Sequence, residues 1–248
     1  MRLQLQPAAL WSSTVATALD DWLATRAQPR ICLATGTTPD PVYRRLSPAL
    51  VSDATIFLLD EFGGLPAGHP GRCESMLREG LLHRARVPAS RFVYPDVDAA
   101  DLDAECQRYQ QLIDDGGLDL VVLGLGPNGH VGLNEPGSAA DTVTRVVQLE
   151  DTTRVAAAQY GIVEAPTWGV TVGLRTLLSA REVWMLVTGR GKRPILERAL
   201  QGPIDPDCPA SLLRVHPNIK CWVDDEALRS SFDGSGRPRS ASSGGGQA

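Results

Sequence analysis

The sequence predicts an α/β fold: a doubly wound, mostly parallel open sheet with helices on both faces, Rossmann-like, in a single domain over residues 1–232. Strand-like apolar runs alternate with helical patterns along the chain. Several of these runs end in glycine-rich or acidic loops, which parallel strands would gather at one edge of a sheet. No internal repeat or linker divides the chain.

The chain begins with an amphipathic helix, followed by a strand with a hydroxyl-rich end. Residues 8–27 place large apolar side chains at helical spacing, and a short apolar strand follows at 31–34. The segment Thr35–Pro39 then leads into a helix around 42–46. Backbone N–H groups and hydroxyls at such a junction favour an anion, although an ordinary turn with a threonine cap has the same sequence. It is not a Walker loop, because no Gly-Lys-Ser/Thr follows.

Two adjacent acids follow the second predicted strand. The apolar run 55–59 ends in Asp60 and Glu61, and a long glycine- and proline-rich loop precedes a helix at 72–85. Burial at a strand end raises the pKa of a carboxyl group, which suits a general base. The alternative is a helix cap or a solvated pair of loop acids.

The middle of the chain carries the densest cluster of polar residues. A buried strand at 120–123 breaks into a loop that contains Asn128, His130 and Glu135. A histidine in a tight loop after a buried strand is typical of the catalytic edge of an open α/β sheet. The segment 124–129 matches G-x-G-x-x-G, but the prolines that follow prevent a long helix, so we do not interpret it as a dinucleotide site.

A third glycine-containing junction brings in one of only two lysines. The buried strand 182–188 leads through Gly189-Arg190-Gly191 to Lys192 at the start of a helix that ends near residue 200. A cation is unfavourable at a helix N-terminus, which indicates an anionic partner unless the side chain is simply solvated. The remaining predicted elements are strands at 92–94, 142–149, 168–172 and 219–223, helices at 99–114, 151–160, 174–178 and 226–232, and a disordered Ser/Gly-rich tail at 233–248.

Composition excludes several classes of protein. A net charge of −5 and the absence of a basic run disfavour nucleic-acid binding. No apolar stretch has membrane-spanning length and the first residues form no signal peptide, so we expect no membrane association. The five cysteines are scattered without a C-x-x-C pair, which predicts free thiols in a reducing, cytoplasmic setting.

Five strings place these features in a known family. The strings LATGTTPDPVYRRL, LLDEFGGLPAGHPGRCESML, LGLGPNGHVGLNEPGS, TVGLRTLLSAREVWMLVTGRGKR and PASLLRVHPN resemble glucosamine-6-phosphate deaminases in order and spacing, over roughly residues 1 to 228. The resemblance implies conversion of glucosamine 6-phosphate and water into fructose 6-phosphate and ammonium. It implies a small sugar-phosphate substrate, no cofactor and no metal, with homo-oligomers among the forms of the family.

The resemblance also assigns roles to individual residues. His130 would open the sugar ring, with Glu135 and Asn128 orienting it, and Asp60 would take the C2 proton and return it at C1. Glu61 would support the site. The phosphate would be held by Gly36, Thr37, Thr38 and Lys192.

Two positions depart from the family pattern. Many members have aspartate where this chain has Asn128, which can orient an imidazole but cannot stabilise its cation by charge. Gln159 stands where well-known members have a phosphate-binding arginine, and loss of that bidentate cation weakens phosphate binding or indicates a different substrate. Arg145 matches a residue of an effector site in some members, which is too little to predict regulation.

Three other functions remain compatible with the sequence. A 6-phosphogluconolactonase would use His130 to activate water, and Asp60 would then have no carbon acid to deprotonate. A non-catalytic sugar-phosphate-binding regulator would keep the pocket without the reaction. A metal site of Asp60, His69, His130 and Glu135 is weaker, because no ligand pair has helical H-E-x-x-H spacing.

Overall fold

The computed structural model describes residues 1–229, so the predicted tail at 233–248 lies outside the described residues. Its strands are β1 (Arg2–Gln6), β2 (Arg30–Leu33), β3 (Thr55–Leu58), β4 (Asp60–Phe62), β5 (Phe92–Val93), β6 (Leu120–Gly124), β7 (Arg145–Gln148), β8 (Trp168–Thr171), β9 (Glu182–Val187) and β10 (Ile219–Asp224). Its α-helices are α1 (Ala8–Ala24), α2 (Asp40–Tyr43), α3 (Pro48–Val51), α4 (Cys73–Leu77), α5 (His83–Ala85), α6 (Leu102–Asp114), α7 (Asp151–Ala157), α8 (Leu174–Ser179), α9 (Arg193–Gln201) and α10 (Pro209–Leu212). A π-helical turn, Arg78–Leu82, joins α4 to α5. No described helix is both long and apolar enough to cross a membrane.

Seven strands form one sheet in the order β1-β10-β9-β6-β2-β3-β5. Every neighbouring pair in this sheet is parallel. The sheet is open, and the helices that connect its strands cover both of its faces. This arrangement confirms the predicted doubly wound α/β class.

The order of the strands fixes where loops can meet. From β2 the chain proceeds outward to β3 and β5, then returns to the other side of β2 as β6 and continues to β9 and β10. The loops that follow the neighbouring strands β2 and β6 therefore run in opposite directions. This leaves a crevice at the carboxyl ends of the two strands.

Alternation of side chains along the strands separates two cores. Ile31 and Leu33 of β2 pack with helices α1 to α5, while Cys32 between them packs with α6 and α8 to α10. In β6, Val122 joins the first core and Val121 the second. Successive side chains of these strands point to opposite faces of the sheet and are buried on both, which is the pattern expected for a central parallel strand.

The structure differs from the prediction at two places. A second, three-stranded antiparallel sheet of β4, β8 and β7 packs beside the main one, so Asp60 and Glu61 begin a separate strand instead of ending the one predicted at 55–59. Strand β1 was not predicted; it forms the edge of the main sheet by pairing with β10, from the opposite end of the chain. The other strands and the longer helices lie within a few residues of their predicted bounds.

Candidate active site

A cleft of about 560 Å³ lies at the carboxyl ends of the central strands. The segment 34–39 after β2, Asp60 after β3, the loop after β6 and the start of α9 contribute to its walls. Of the residues predicted for the site, those that line the cleft are Gly36, Thr37, Thr38, Asp60, His130 and Lys192. Asn128 and Glu135 lie behind His130 and contact it.

Two glycines allow the loop after β6 to hold its histidine. A Cβ on Gly126 would lie 2.3 Å from the His130 ring, so only glycine lets the imidazole lie against this backbone. Gly129 has φ +93°, and a Cβ there would lie 2.8 Å from Cys208 Sγ. The loop is closed by hydrogen bonds from Gly126 N to His130 O (3.0 Å) and from Gly129 N to Gly126 O (3.1 Å). The G-x-G-x-x-G pattern thus serves to seat His130.

Hydrogen bonds behind His130 determine which of its nitrogens carries the proton. Asn128 Nδ2 donates to Glu135 Oε2 at 2.9 Å, which turns Asn128 Oδ1 toward His130 Nδ1 at 2.7 Å. An amide oxygen can only accept, so in neutral His130 the proton sits on Nδ1. Nε2 therefore keeps the lone pair, and it is the ring nitrogen left for a substrate in the cleft.

Glu135 is ionised behind the imidazole. Burial raises its pKa, but hydrogen bonds from His130, Thr153 and Asn128 outweigh burial and leave the pKa below its ordinary value. The carboxylate Oε2 lies 3.5 Å from His130 Nδ1. Because an ionised carboxylate is acceptor-only, it also fixes the orientation of the Asn128 amide.

Asp60 is the buried acid of the cleft. It is 7% exposed and lies where β3 gives way to β4, opposite Thr171 of β8. Burial raises the pKa of Asp60 to about 6, while His130 and the Cys73 thiol oppose the rise. A carboxyl group with this pKa is largely ionised at pH 7 and is a stronger base than a solvated aspartate.

Glu61 faces the other side of the same strand. Its carboxylate accepts hydrogen bonds from the backbone N–H groups of Phe62 (2.8 Å), Cys73 (2.9 Å) and Glu74 (2.8 Å). The side chain is buried and does not line the cleft. These hydrogen bonds join the start of α4 to β4. This position fits the predicted supporting role of Glu61 and not a contact with the substrate.

One part of the cleft, its anion end, is lined by residues that suit an anion. Thr37 and Thr38 follow Gly36 on one wall, and the hydroxyl of Thr38 lies 3.1 Å from that of Thr188 on the other. Lys192 precedes α9 and donates from Nζ to Leu125 O at 2.5 Å. Burial lowers the pKa of Lys192, and an anion in the cleft would oppose this effect by favouring the charged form.

Helix α7 and the turn after it cover one side of the cleft with Thr153 and Tyr160, which the sequence did not single out, and with Gln159, which the family resemblance did. Thr153 Oγ1 lies 3.1 Å from His130 Nδ1. Tyr160 lines the cleft close to Gly36, since a Cβ built on Gly36 would lie 2.6 Å from the Tyr160 hydroxyl. Gln159 also lines the cleft. The strand–loop pattern gave no signal for these positions, because they reach the cleft through tertiary packing.

The proposed metal ligands are not arranged as a metal site. His69 Nδ1 accepts from Gly71 N at 2.9 Å, and His69 does not line the cleft. Within residues 1–229, no group of three or more His, Cys, Asp or Glu side chains is placed to hold a metal ion. The described geometry gives no support to that alternative.

Comparison with known families agrees with the geometry. Residues 6–222 match the family of glucosamine-6-phosphate isomerases and 6-phosphogluconolactonases. A glucosamine-6-phosphate deaminase of Bacillus pumilus is 36% identical over 91% of this chain and 94% of its own. One from Streptomyces coelicolor is 37% identical over 86% of this chain and 85% of its own.

Comparison with solved structures leads to the same family. A monomeric glucosamine-6-phosphate deaminase superposes with a TM-score of 0.87 at 33% identity, covering 92% of this chain and 100% of its own. The 6-phosphogluconolactonase of Thermotoga maritima has a TM-score of 0.72 at 23% identity, covering 90% of this chain and 98% of its own. The second likeness concerns the fold alone.

Proposed function

Because the chain belongs to the family of glucosamine-6-phosphate isomerases and 6-phosphogluconolactonases, we propose that it converts glucosamine 6-phosphate and water into fructose 6-phosphate and ammonium. The observation that carries the proposal is that Asp60 and His130 line the same cleft as Thr37, Thr38 and Lys192. An isomerase needs a base at carbon and a proton carrier at oxygen, with a distant anion site that positions the sugar between them.

Each polar group has a distinct task in this reaction. His130 accepts a proton at Nε2 and moves it between the C1 hydroxyl and the ring oxygen, which opens the ring. Asp60 then takes the proton from C2 and delivers it to C1, while the amino nitrogen loses a proton and O1 gains one, which leaves an imine at C2. Water adds to that imine and the C2–N bond breaks, so the net reaction is an isomerisation followed by a hydrolysis. Glu135 and Asn128 hold His130 in the required tautomer.

The 6-phosphogluconolactonase alternative makes less use of these residues. Lactone hydrolysis breaks no C–H bond, so a buried carboxylate with a pKa near 6 would have no carbon acid to deprotonate. A non-catalytic regulator would need neither the fixed tautomer of His130 nor the raised pKa of Asp60. Both features are expected in an enzyme.

The direct test is release of ammonia from glucosamine 6-phosphate by the purified protein. We expect stoichiometric ammonium and fructose 6-phosphate, with little hydrolysis of 6-phosphogluconolactone in a parallel assay. Lactone hydrolysis without ammonia release would instead establish the lactonase function. Binding of the sugar phosphate without turnover of either compound would establish the regulator.

Lys192 is expected to bind the substrate phosphate. Lys192→Met removes the charge and keeps the length, so KM for glucosamine 6-phosphate should rise about tenfold or more while kcat changes little, since a hydrogen bond to a charged group contributes about 1.5–3 kcal/mol. The matched control is Arg193→Met, which removes the exposed neighbouring cation that pairs with Glu197 instead. An unchanged KM in Lys192→Met would show that the phosphate binds elsewhere.

Asn128 is expected to set the pH dependence of the reaction. Asn128→Asp places a second carboxylate beside His130 and Glu135, which stabilises the imidazolium form and blocks Nε2 as a base until higher pH. Asp60 sets an acid limb of the kcat/KM profile near pH 6, and in Asn128→Asp the imidazolium should extend that limb to higher pH. Glu135→Gln, which removes a charge behind the ring, should not extend it. Superimposable profiles for Asn128→Asp and the unmodified protein would contradict the assigned tautomer chemistry.

We infer a cytoplasmic role in the catabolism of amino sugars such as N-acetylglucosamine. The five cysteines are free and buried, as expected in a reducing compartment. Homo-oligomer formation stays a prediction from the resemblance, and a structurally similar deaminase is monomeric. Size-exclusion chromatography with light scattering distinguishes the two states.

A further inference from the structure

The cleft presents little positive charge to a phosphate. Among the described residues that line it, Lys192 is the single lysine or arginine. Gln159, which stands where the family resemblance expects a phosphate-binding arginine, adds no charge. A phosphate monoester has about two negative charges at neutral pH and three acceptor oxygens. One ammonium group therefore leaves most of these oxygens to neutral hydrogen-bond donors.

A neutral donor, the hydroxyl of Tyr160, lies against the segment that follows β2. Gly36 in that segment has φ +107°, and a Cβ built on it would lie 2.6 Å from the Tyr160 hydroxyl oxygen, 3.5 Å from Cζ and 3.8 Å from Cε1. The ring therefore approaches Gly36 with its hydroxyl end and not with its face. Tyr160, Gly36 and Thr37 all line the cleft, so the hydroxyl lies beside the residues assigned to the phosphate.

Packing on both sides of Tyr160 along the chain holds its ring in place. Tyr160 ends the short 3-10 turn that follows α7, and its ring packs against the first core. Ala157 before it and Ile162 after it are buried in the same core, at 1% and 4% exposure. Ile162 fits against Gly71, where a Cβ would lie 2.5 Å from Ile162 Cγ1. The position of the hydroxyl is therefore set by the core.

The same ring separates the cleft from a second cavity of about 610 Å³. Thr35, Gly36, Thr37 and Tyr160 line both spaces and form their common wall. Tyr160 is the one member of this wall that does not come from the segment after β2. Phenylalanine at this position would keep the wall and remove the hydroxyl alone, so an experiment can separate the two contributions.

The Tyr160 hydroxyl has a proton to donate to a ligand. Two other tyrosines donate theirs to backbone carbonyls, Tyr43 to Ala34 O at 2.9 Å and Tyr109 to Leu58 O at 2.6 Å. No carbonyl of the described residues accepts the proton of Tyr160. Burial raises the pKa of Tyr160 to about 12, so the hydroxyl stays protonated throughout the neutral range.

We propose that the Tyr160 hydroxyl donates a hydrogen bond to the phosphate of the substrate and is a specificity-determining residue at the anion end of the cleft. This inference deepens the proposed function and rests on it for the identity of the sugar phosphate. A directed neutral donor beside Gly36 and Thr37 then supplements Lys192, the one cation that the described part of the cleft provides.

The test compares Tyr160→Phe with a matched control, Tyr94→Phe. Tyr94 is also partly buried against the first core, but it stacks on Phe92 with ring centroids 5.0 Å apart and does not line the cleft. Steady-state kinetics with glucosamine 6-phosphate are combined with phosphorus-31 NMR of fructose 6-phosphate bound to each purified protein. The NMR measurement needs no turnover and reports the surroundings of the phosphate itself.

In Tyr160→Phe we expect KM for glucosamine 6-phosphate to rise about tenfold while kcat stays within about twofold, because a bond to the remote phosphate is made equally in the ground state and the transition state. The bound phosphate should titrate about half a pH unit higher, since the lost donor favours its more highly charged form. Tyr94→Phe should leave the kinetics and the phosphorus titration unchanged.

Two results would overturn the proposal. One is an unchanged KM in Tyr160→Phe. The other is a raised KM with an unchanged phosphorus titration, since the hydroxyl would then contact another part of the sugar. If the unmodified protein releases no ammonia, the proposed function fails, and the phosphorus titration with bound fructose 6-phosphate still decides whether Tyr160 contacts the phosphate. Failure of the unmodified protein to bind either sugar phosphate would overturn both.

Discussion

Replacing Asp60 by asparagine should lower kcat for ammonia release by about 10² or more, the usual contribution of a general base. Asn keeps the shape of the side chain but cannot accept the C2 proton. KM should stay within about threefold, because the anion end of the cleft around Thr37 and Lys192 is untouched. In the unmodified protein, kcat/KM should fall as the pH drops through about 6, where the carboxylate is lost.

Stability provides the control for this substitution. The pKa of Asp60 is raised from an ordinary 3.8 to about 6, so its ionised form destabilises the folded state at higher pH. Asp60→Asn should therefore raise Tm at pH 8 and change it little only below the ordinary pKa of 3.8, where the carboxyl group is neutral in both the folded and the unfolded protein. Full activity in Asp60→Asn would refute the mechanism even if ammonia release is established.

Replacing His130 by glutamine should produce the second large loss, about 10² in kcat on the cyclic substrate. Glutamine can form a hydrogen bond behind the site but cannot exchange a proton between two oxygens. The loss should be smaller on the open-chain form of the sugar, since ring opening is the step assigned to His130. Kinetics under conditions that enrich the open-chain form measure this difference.

A matched comparison for His130→Gln is Thr153→Val. Val removes the hydroxyl that lies 3.1 Å from His130 Nδ1 and keeps the imidazole, so kcat should fall far less than in His130→Gln. Equal losses on the cyclic and open-chain substrates in His130→Gln would contradict a ring-opening role.

The parts of the site that follow buried strands were predictable from the sequence. An apolar run that ends in polar residues places those residues at the carboxyl edge of a parallel sheet, and this holds for Asp60 and for His130. Lys192 follows the same rule after β9. In each case the local pattern alone fixes which edge of the sheet the side chain reaches.

The direction of the Glu61 side chain follows from the alternation of side chains along a strand. In a strand, successive side chains point to opposite sides, so Asp60 and Glu61 cannot both face the cleft if both belong to β4. In the prediction from sequence, both acids stand together at the end of the strand that begins at residue 55, without this alternation being applied to them. Strand β4 exists because β8, from over a hundred residues later, pairs with it.

Cys73 and Thr153 could not be predicted in the same way. Both sit at or in helices whose placement over the cleft depends on tertiary contacts, such as the Glu61 bond to Cys73 N. Strand β1 was equally hidden, because Leu3 and Leu5 are about half exposed and its partner, β10, lies more than two hundred residues later in the chain. Pairing over such a separation leaves no local pattern in the sequence.

The central claim is that one base carries a proton from C2 to C1, and hydrogen isotopes test it most directly. Glucosamine 6-phosphate is turned over in deuterium oxide, and substrate deuterated at C2 is turned over in ordinary water. In both experiments we expect deuterium at only one of the two hydrogen positions on C1 of fructose 6-phosphate. The fraction that comes from solvent and the fraction that comes from C2 should add up to one hydrogen. Deuterium spread equally over both C1 positions would contradict transfer by Asp60, and turnover of the lactone alone, with no change at any carbon, would contradict the reaction.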